Sequence, residues 1–143
     1  MRHHKFVRAT IVLLLATAVS LLSACASTRN AAVIALPNGF YFQKSTPGQV
    51  ELVRRDGRRV LRGPVAAYAV SGEIVAGALG EIPAAARACT NDCPFKDTPD
   101  TRYFVLDTRT GYLTTNLSAT EWRGRLDSAG VPPSFRIAAP FLP

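Results

Sequence analysis

Where this chain reads most clearly, apolar and polar residues trade places with a period of two, the spacing of a strand that buries one face. Residues 49–55 show it best, with Val50 and Leu52 alternating with Glu51 and Val53. Residues 58–62 follow across Asp56-Gly57, a dipeptide that favours a two-residue type I′ hairpin loop. Gly63-Pro64 breaks the run, and residues 65–70 and 73–79 then flank a second hairpin signal at Ser71-Gly72. Together these predict a meander of about four strands. Phe40-Tyr41-Phe42, entered through the Asn38-Gly39 turn, opens an earlier strand. Residues 102–108 form another, and Tyr103-Phe104-Val105-Leu106, apolar on both faces, argues for a central position in its sheet. Thr110-Gly111 turns that strand into residues 112–117.

The period changes at Ser118. Ser118 and Glu121 have capping-box spacing, Trp122 and Leu126 share one helical stripe, and Gly130 supplies a left-handed cap. Pro132-Pro133 forbid continuation. A short helical turn is expected over residues 84–88 after Pro83, and the apolar tail from Phe135 to Pro143 reads as an edge strand or a segment packed on the sheet. The prediction is a small α+β domain over residues 38–143, mainly an antiparallel sheet of hairpins, with one helix in its C-terminal half.

The first 25 residues follow another logic. Arg2, Lys5 and Arg8 precede the apolar run of residues 11–22, which ends in Leu22-Ser23-Ala24-Cys25. That is the anatomy of a secretory signal peptide. The run falls short of the roughly 18 apolar residues a membrane span needs. The aliphatic-small-small-Cys box resembles that of the bacterial lipoprotein precursor family. The resemblance implies that the Cys25 thiol takes a diacylglyceryl group, that residues 1–24 are removed, and that the new amino terminus is acylated. In that family Asp after the lipidated Cys retains the protein at the inner membrane. Here the position is Ala26, which implies the outer membrane. Residues 25–37 are then a lipidated tether, in which residues 26–37 reach at most about 40 Å.

Removing residues 1–24 from 143 leaves 119, enough for one hydrophobic core. Three of the 17 basic residues lie in the leader and all ten acidic residues lie beyond it, so the net charge falls from +7 to +4. Such an excess suits anionic lipid, cell-wall carboxylates or an acidic envelope protein. Export removes nucleic acid as a partner. Both histidines, His3 and His4, are also in the leader. Their absence from the mature part excludes Ser-His-Asp and Cys-His nucleophilic sites, His-bearing zinc sites and His general bases. No enzyme activity, metal or cofactor is expected.

Cys89 and Cys93 are the remaining thiols. In an oxidising envelope an even pair reads as a local structural disulfide; redox motifs space their cysteines by two residues, and metal ligation lacks further soft ligands. Arg54, Arg55, Arg58, Arg59 and Arg62 crowd the first hairpin, and guanidinium groups pair with phosphate and carboxylate in bidentate fashion. They form the candidate partner-binding site; the alternative is a solvated tip whose charges protect strand edges. The long connection over residues 81–100 is the second candidate and carries Asp92, Asp97 and Asp100. Their spacing matches no calcium loop.

These features point to a lipid-tethered, non-catalytic binding or assembly module of the envelope. An inhibitor or immunity-type lipoprotein is the alternative, by analogy with envelope lipoproteins that inhibit lysozyme, whose motifs are missing here. A carboxylate-dependent glycan hydrolase is a more distant one. The cysteine pair generates a first test. Intact mass should change on reduction by one disulfide, and replacing both cysteines should cost about 2 kcal/mol or less, because the closed loop is short. Loss of the whole fold would contradict a local role.

Overall fold

Gly63-Pro64 divides the chain into two antiparallel sheets. The computed structural model describes residues 33–87 and 94–139. The first sheet holds β1 (Val33–Ala35), β2 (Phe40–Thr46) and β3 (Gln49–Arg54) in the order β1-β2-β3, with a 3₁₀ turn at Pro37–Gly39 between β1 and β2. The second holds β4 (Val65–Ser71), β5 (Ile74–Leu79), β6 (Arg102–Asp107) and β7 (Tyr112–Leu117), in sequence order. A single turn of helix, α1 (Ala84–Arg87), follows β5, and α2 (Ala119–Ser128) follows β7. Mainly antiparallel β with one longer helix in the C-terminal half is the α+β class the patterning predicts.

Three local expectations change. Part of the expected tether is strand: Val33, Ile34 and Ala35 pair with Gln43, Phe42 and Tyr41. The loop at Asp56-Gly57 is not type I′, because Asp56 keeps a negative φ while Gly57 has φ +81°. The Gly57 N–H donates to the Arg54 carbonyl (2.8 Å) and the Arg54 N–H to the Arg58 carbonyl (2.9 Å). Two residues therefore oppose one, which is a three-residue loop closed by a glycine bulge. Beyond it residues 58–62 do not form the expected strand. Besides the Arg58 carbonyl's bond to Arg54, they keep one bridge, Val53 to Arg59, and a bond from the Val60 N–H to the Leu52 carbonyl. Val60 and Leu61 are adjacent rather than alternating, so no continuous face is available to bury. The hairpins on either side of Gly63-Pro64 accordingly join different sheets.

The second sheet is the middle layer. One of its faces meets the first sheet through Val65, Val75, Phe104 and Leu106, which cluster with Phe40, Phe42, Val50 and Leu52. The Phe42 and Tyr68 rings cross this interface, centroids 4.4 Å apart. The opposite face carries Ala67, Ala76 and Ala78 beneath Trp122, Leu126, Val131 and Phe135. Alanines there leave room for the aromatic layer: Tyr103 stacks on Trp122 at 4.7 Å and 20°. β6 thus feeds both cores, Phe104 and Leu106 one way and Tyr103 and Val105 the other, as its sequence predicts. The open edge of β4 is closed by the tail, where Tyr68 and Ala138 exchange N–H···O bonds of 2.8 and 3.1 Å.

α2 begins and ends as its sequence dictates. The Glu121 N–H donates to Ser118 Oγ, while the Ser118 N–H and hydroxyl donate to Glu121 Oε2 at 2.8 and 2.7 Å. The Ser118 N–H, its hydroxyl and the nearby Arg102 hold the Glu121 carboxyl below its ordinary pKa. At the other end the Gly130 N–H bonds to the Asp127 carbonyl and the Val131 N–H to the Leu126 carbonyl, a Schellman stop, with Val131 and Leu126 packed in one cluster.

Two glycines test these layers in opposite directions. A Cβ on Gly77 would collide with the Ala67 carbonyl oxygen and lie 2.9 Å from the Phe104 ring, whereas one on Gly124 in α2 meets nothing within 4 Å. Gly77→Ala should destabilise the protein by about 1–3 kcal/mol, as overpacked cores do. Gly124→Ala should stabilise it by about 0.5–1 kcal/mol through helix propensity. Equal effects in denaturant unfolding would contradict the arrangement. Trp122→Ala should cost about 3–5 kcal/mol. Trp122→Phe should cost much less, since Trp122 Nε1 has no hydrogen-bond partner to lose among the described residues.

Candidate functional site

The loop that follows β3, residues 55–57, arrives where two other turns also end: the Pro37–Gly39 turn and the β6–β7 turn at residues 108–111. Asn38 ties these two together. It adopts a left-handed backbone, φ 57°, and its Nδ2 donates to Thr108 Oγ1 at 2.9 Å across 70 residues of sequence. The Thr108 hydroxyl and N–H in turn donate to the Glu73 carbonyl at 2.8 and 2.9 Å, and Thr108 is 3% exposed. Asp107 shapes the β6–β7 turn by accepting from the Arg109 and Thr110 N–H groups. Burial pushes its carboxyl up, but the Thr110 and Arg109 donors and the Arg109 guanidinium outweigh that, and its pKa lies below the ordinary carboxylate value.

These turns enclose an open groove of about 470 Å³. Its basic residues are Arg54 and Arg55 from the hairpin and Arg109 from the β6–β7 turn; Asp56 is its one acid. Neighbouring loops position both hairpin arginines. The Arg54 guanidinium carbon lies 5.4 Å from the centre of the Phe40 ring, a cation–π contact, and its Nη2 passes 2.9 Å from where Gly111 would carry a Cβ. The Arg55 stem lies against Gly39, 3.3 Å from where a Cβ would stand. Each glycine makes room for one arginine.

The five arginines singled out from sequence are all exposed but do not all gather at one tip. Arg54 and Arg55 line the groove. Arg58 stands at the loop, its N–H bonded to Asp56 Oδ1. Arg59 turns back to Glu51, Nε to Oε2 2.9 Å. Arg62 lies apart, in a hollow with Val60, Leu79 and Leu113. Among the described residues no carboxylate lies within 4 Å of the Arg54, Arg55, Arg58 or Arg62 guanidinium groups. Arg109 shares Glu73 and Asp107 at 3.5 and 3.6 Å, exposed contacts of little strength. Sequence reasoning misses Arg109, Asn38 and Thr108. The turn at Thr110-Gly111 is legible, but nothing local says which distant loop it will meet.

Cys25 and the Cys89–Cys93 pair lie outside the described residues. Pro83, Ala85 and Ala86 on one side of that pair and Pro94, Phe95 and Lys96 on the other line a hollow of about 250 Å³ with Ala139. Within the 81–100 connection Asp92 also lies outside the described residues, and Asp97 accepts a 3.0 Å bond from the Tyr103 hydroxyl. Among the described residues no group of three or more His, Cys, Asp or Glu is arranged to hold a metal ion, and no helix is long and apolar enough to cross a membrane.

No family model, no characterised protein and no solved structure matches this chain.

Asp97 and Tyr103 give a pH signature. Burial, then the hydrogen bond to the Asp97 carboxylate and its charge, push the Tyr103 phenol up to about 12, against a small opposing pull from Arg123. An unfolded tyrosine ionises near pH 10. Between these values the unfolded chain holds fewer protons, so stability should fall as pH rises from about 10 to about 12. Spectrophotometric titration should show a tyrosine ionising near pH 12 that Tyr103→Phe removes, while Tyr68, raised by burial alone, stays late in that variant. Titration of every tyrosine near pH 10 would contradict the pairing.

Proposed function

We propose that this chain is a lipoprotein of the bacterial envelope, anchored at Cys25 after loss of residues 1–24 and held at the outer membrane. Its domain serves as a non-catalytic binding module for an envelope partner that carries acidic groups. The anchor reading is supported by the Leu22-Ser23-Ala24-Cys25 box behind a short apolar run, and the membrane by Ala26. Three acyl chains hold a protein permanently, since each buried methylene contributes about 0.8 kcal/mol. The binding reading rests on one observation: Arg54, Arg55 and Arg58 crowd a single loop with no carboxylate within 4 Å among the described residues. Cations kept unneutralised by their own fold attract anions and speed encounter with them.

Cys25→Ser should abolish fatty-acid labelling and leave an unprocessed precursor; normal processing of that variant would mean an ordinary secretory leader. Density-gradient fractionation should place the lipidated protein with the outer membrane, and a peak with the inner membrane would overturn the location. A pull-down from detergent-solubilised envelopes should recover one partner assembly, and Arg55→Glu with Arg58→Glu should release it. Recovery of a lysozyme or toxin instead would favour the inhibitor reading.

A further inference from the structure

We propose that the groove between Arg54, Arg55 and Arg109 is a seat for a carboxylate-bearing peptide segment, with Asn38 and Thr108 as its fixed floor. This deepens the binding-module reading by naming a ligand chemistry and adding a contact, Arg109, from the other sheet. Three observations carry it. The guanidinium groups reach the groove from two different sheets, and two of the three have no carboxylate partner among the described residues. They are held in place before any ligand arrives: Arg54 by Phe40 and the bare Gly111, Arg55 by Gly39, and the turn bearing Arg109 by Asp107 and the Asn38–Thr108–Glu73 chain. Preplaced donors lose less freedom on binding, which is where affinity is usually forfeited. The third observation is charge: the lining sets Arg54, Arg55 and Arg109 against a single acid, Asp56, so the groove keeps a net positive charge that an acidic segment complements.

A groove of about 470 Å³ has the size of ordinary ligand clefts, and its openness suits a segment of chain lying across it. Carboxylate oxygens meet guanidinium forks in pairs, so one acidic side chain can engage two donors of Arg54 or Arg55. Arg109 is held only by long, exposed contacts to Glu73 and Asp107, and an incoming carboxylate can share it.

The test uses the full lipid-bearing chain purified in a neutral detergent. Fluorescence anisotropy follows a labelled short peptide alternating Glu and Ala, with the Gln-for-Glu peptide, inorganic phosphate and anionic phospholipid vesicles as competitors. The Glu peptide should bind saturably and weaken with salt, and the Gln peptide should not bind. Arg55→Glu and Arg109→Glu should each weaken binding about tenfold or more, the loss of roughly one charge-assisted contact. Arg62→Glu, an equal charge change away from the groove, should alter it less than about twofold. Equal weakening by Arg62→Glu would reduce the effect to net charge and overturn the proposal. So would the absence of saturable binding, displacement by equimolar phosphate, or vesicle binding that depends on Arg55 and Arg109. Thermal melts check that each variant folds. Envelope pull-down is separate: a partner still recovered by a protein that binds no acidic peptide would sink the groove and leave the binding module standing.

Discussion

Everything in this domain depends on a sheet buried on both sides. An antiparallel sheet ordinarily keeps one face in water. Here β4–β7 present Phe104, Leu106, Val65 and Val75 to the first sheet and Tyr103, Val105, Ala67, Ala76 and Ala78 to the helix layer. Full burial of a large apolar side chain contributes about 1.5–3 kcal/mol, so β6, with four consecutive buried residues, joins two cores that would each be small alone. The price is steric. Gly77 must remain bare so that Phe104 and the neighbouring strand can approach, and the helix face must be floored with alanines to admit Trp122 and Phe135.

Because the first sheet docks on the second, its loops meet the loops of its partner. The Asn38–Thr108 bond is the visible consequence, joining residues far apart in sequence at the rim of the interface. The basic groove is what that meeting encloses. Its arginines come from both sheets, and the glycines that seat Arg54 and Arg55 belong to loops other than theirs. The site is a product of tertiary packing rather than of any one motif.

That origin explains what could be read in advance. Features set by neighbours in the chain were legible: the Ser118–Glu121 box, the Gly130 stop, the turn at residues 108–111 and the two-sided apolar run of β6. Asp56-Gly57 was legible as a turn but not as a bulge, since a glycine with positive φ suits both and only the φ of Asp56 separates them. β1 falls inside the expected tether because three residues carry no periodicity; their pairing with β2 makes them a strand. Residues 58–62 looked like a strand by position, yet adjacent Val60 and Leu61 gave them no face to bury. The arginines were legible as a group, but which of them face one groove, and that Arg109 joins them, depends on how two sheets dock.

This docking preforms the groove, and the strength of coupling between Asn38 and Thr108 reports on it. A double-mutant cycle in denaturant unfolding, with Asn38→Ala, Thr108→Val and the pair, cancels the separate cost of the strained Asn38 backbone. Docked loops predict a coupling of about 0.5–3 kcal/mol. Additivity within about 0.3–0.5 kcal/mol would mean that the two turns do not hold each other, and that the arginines share no common site.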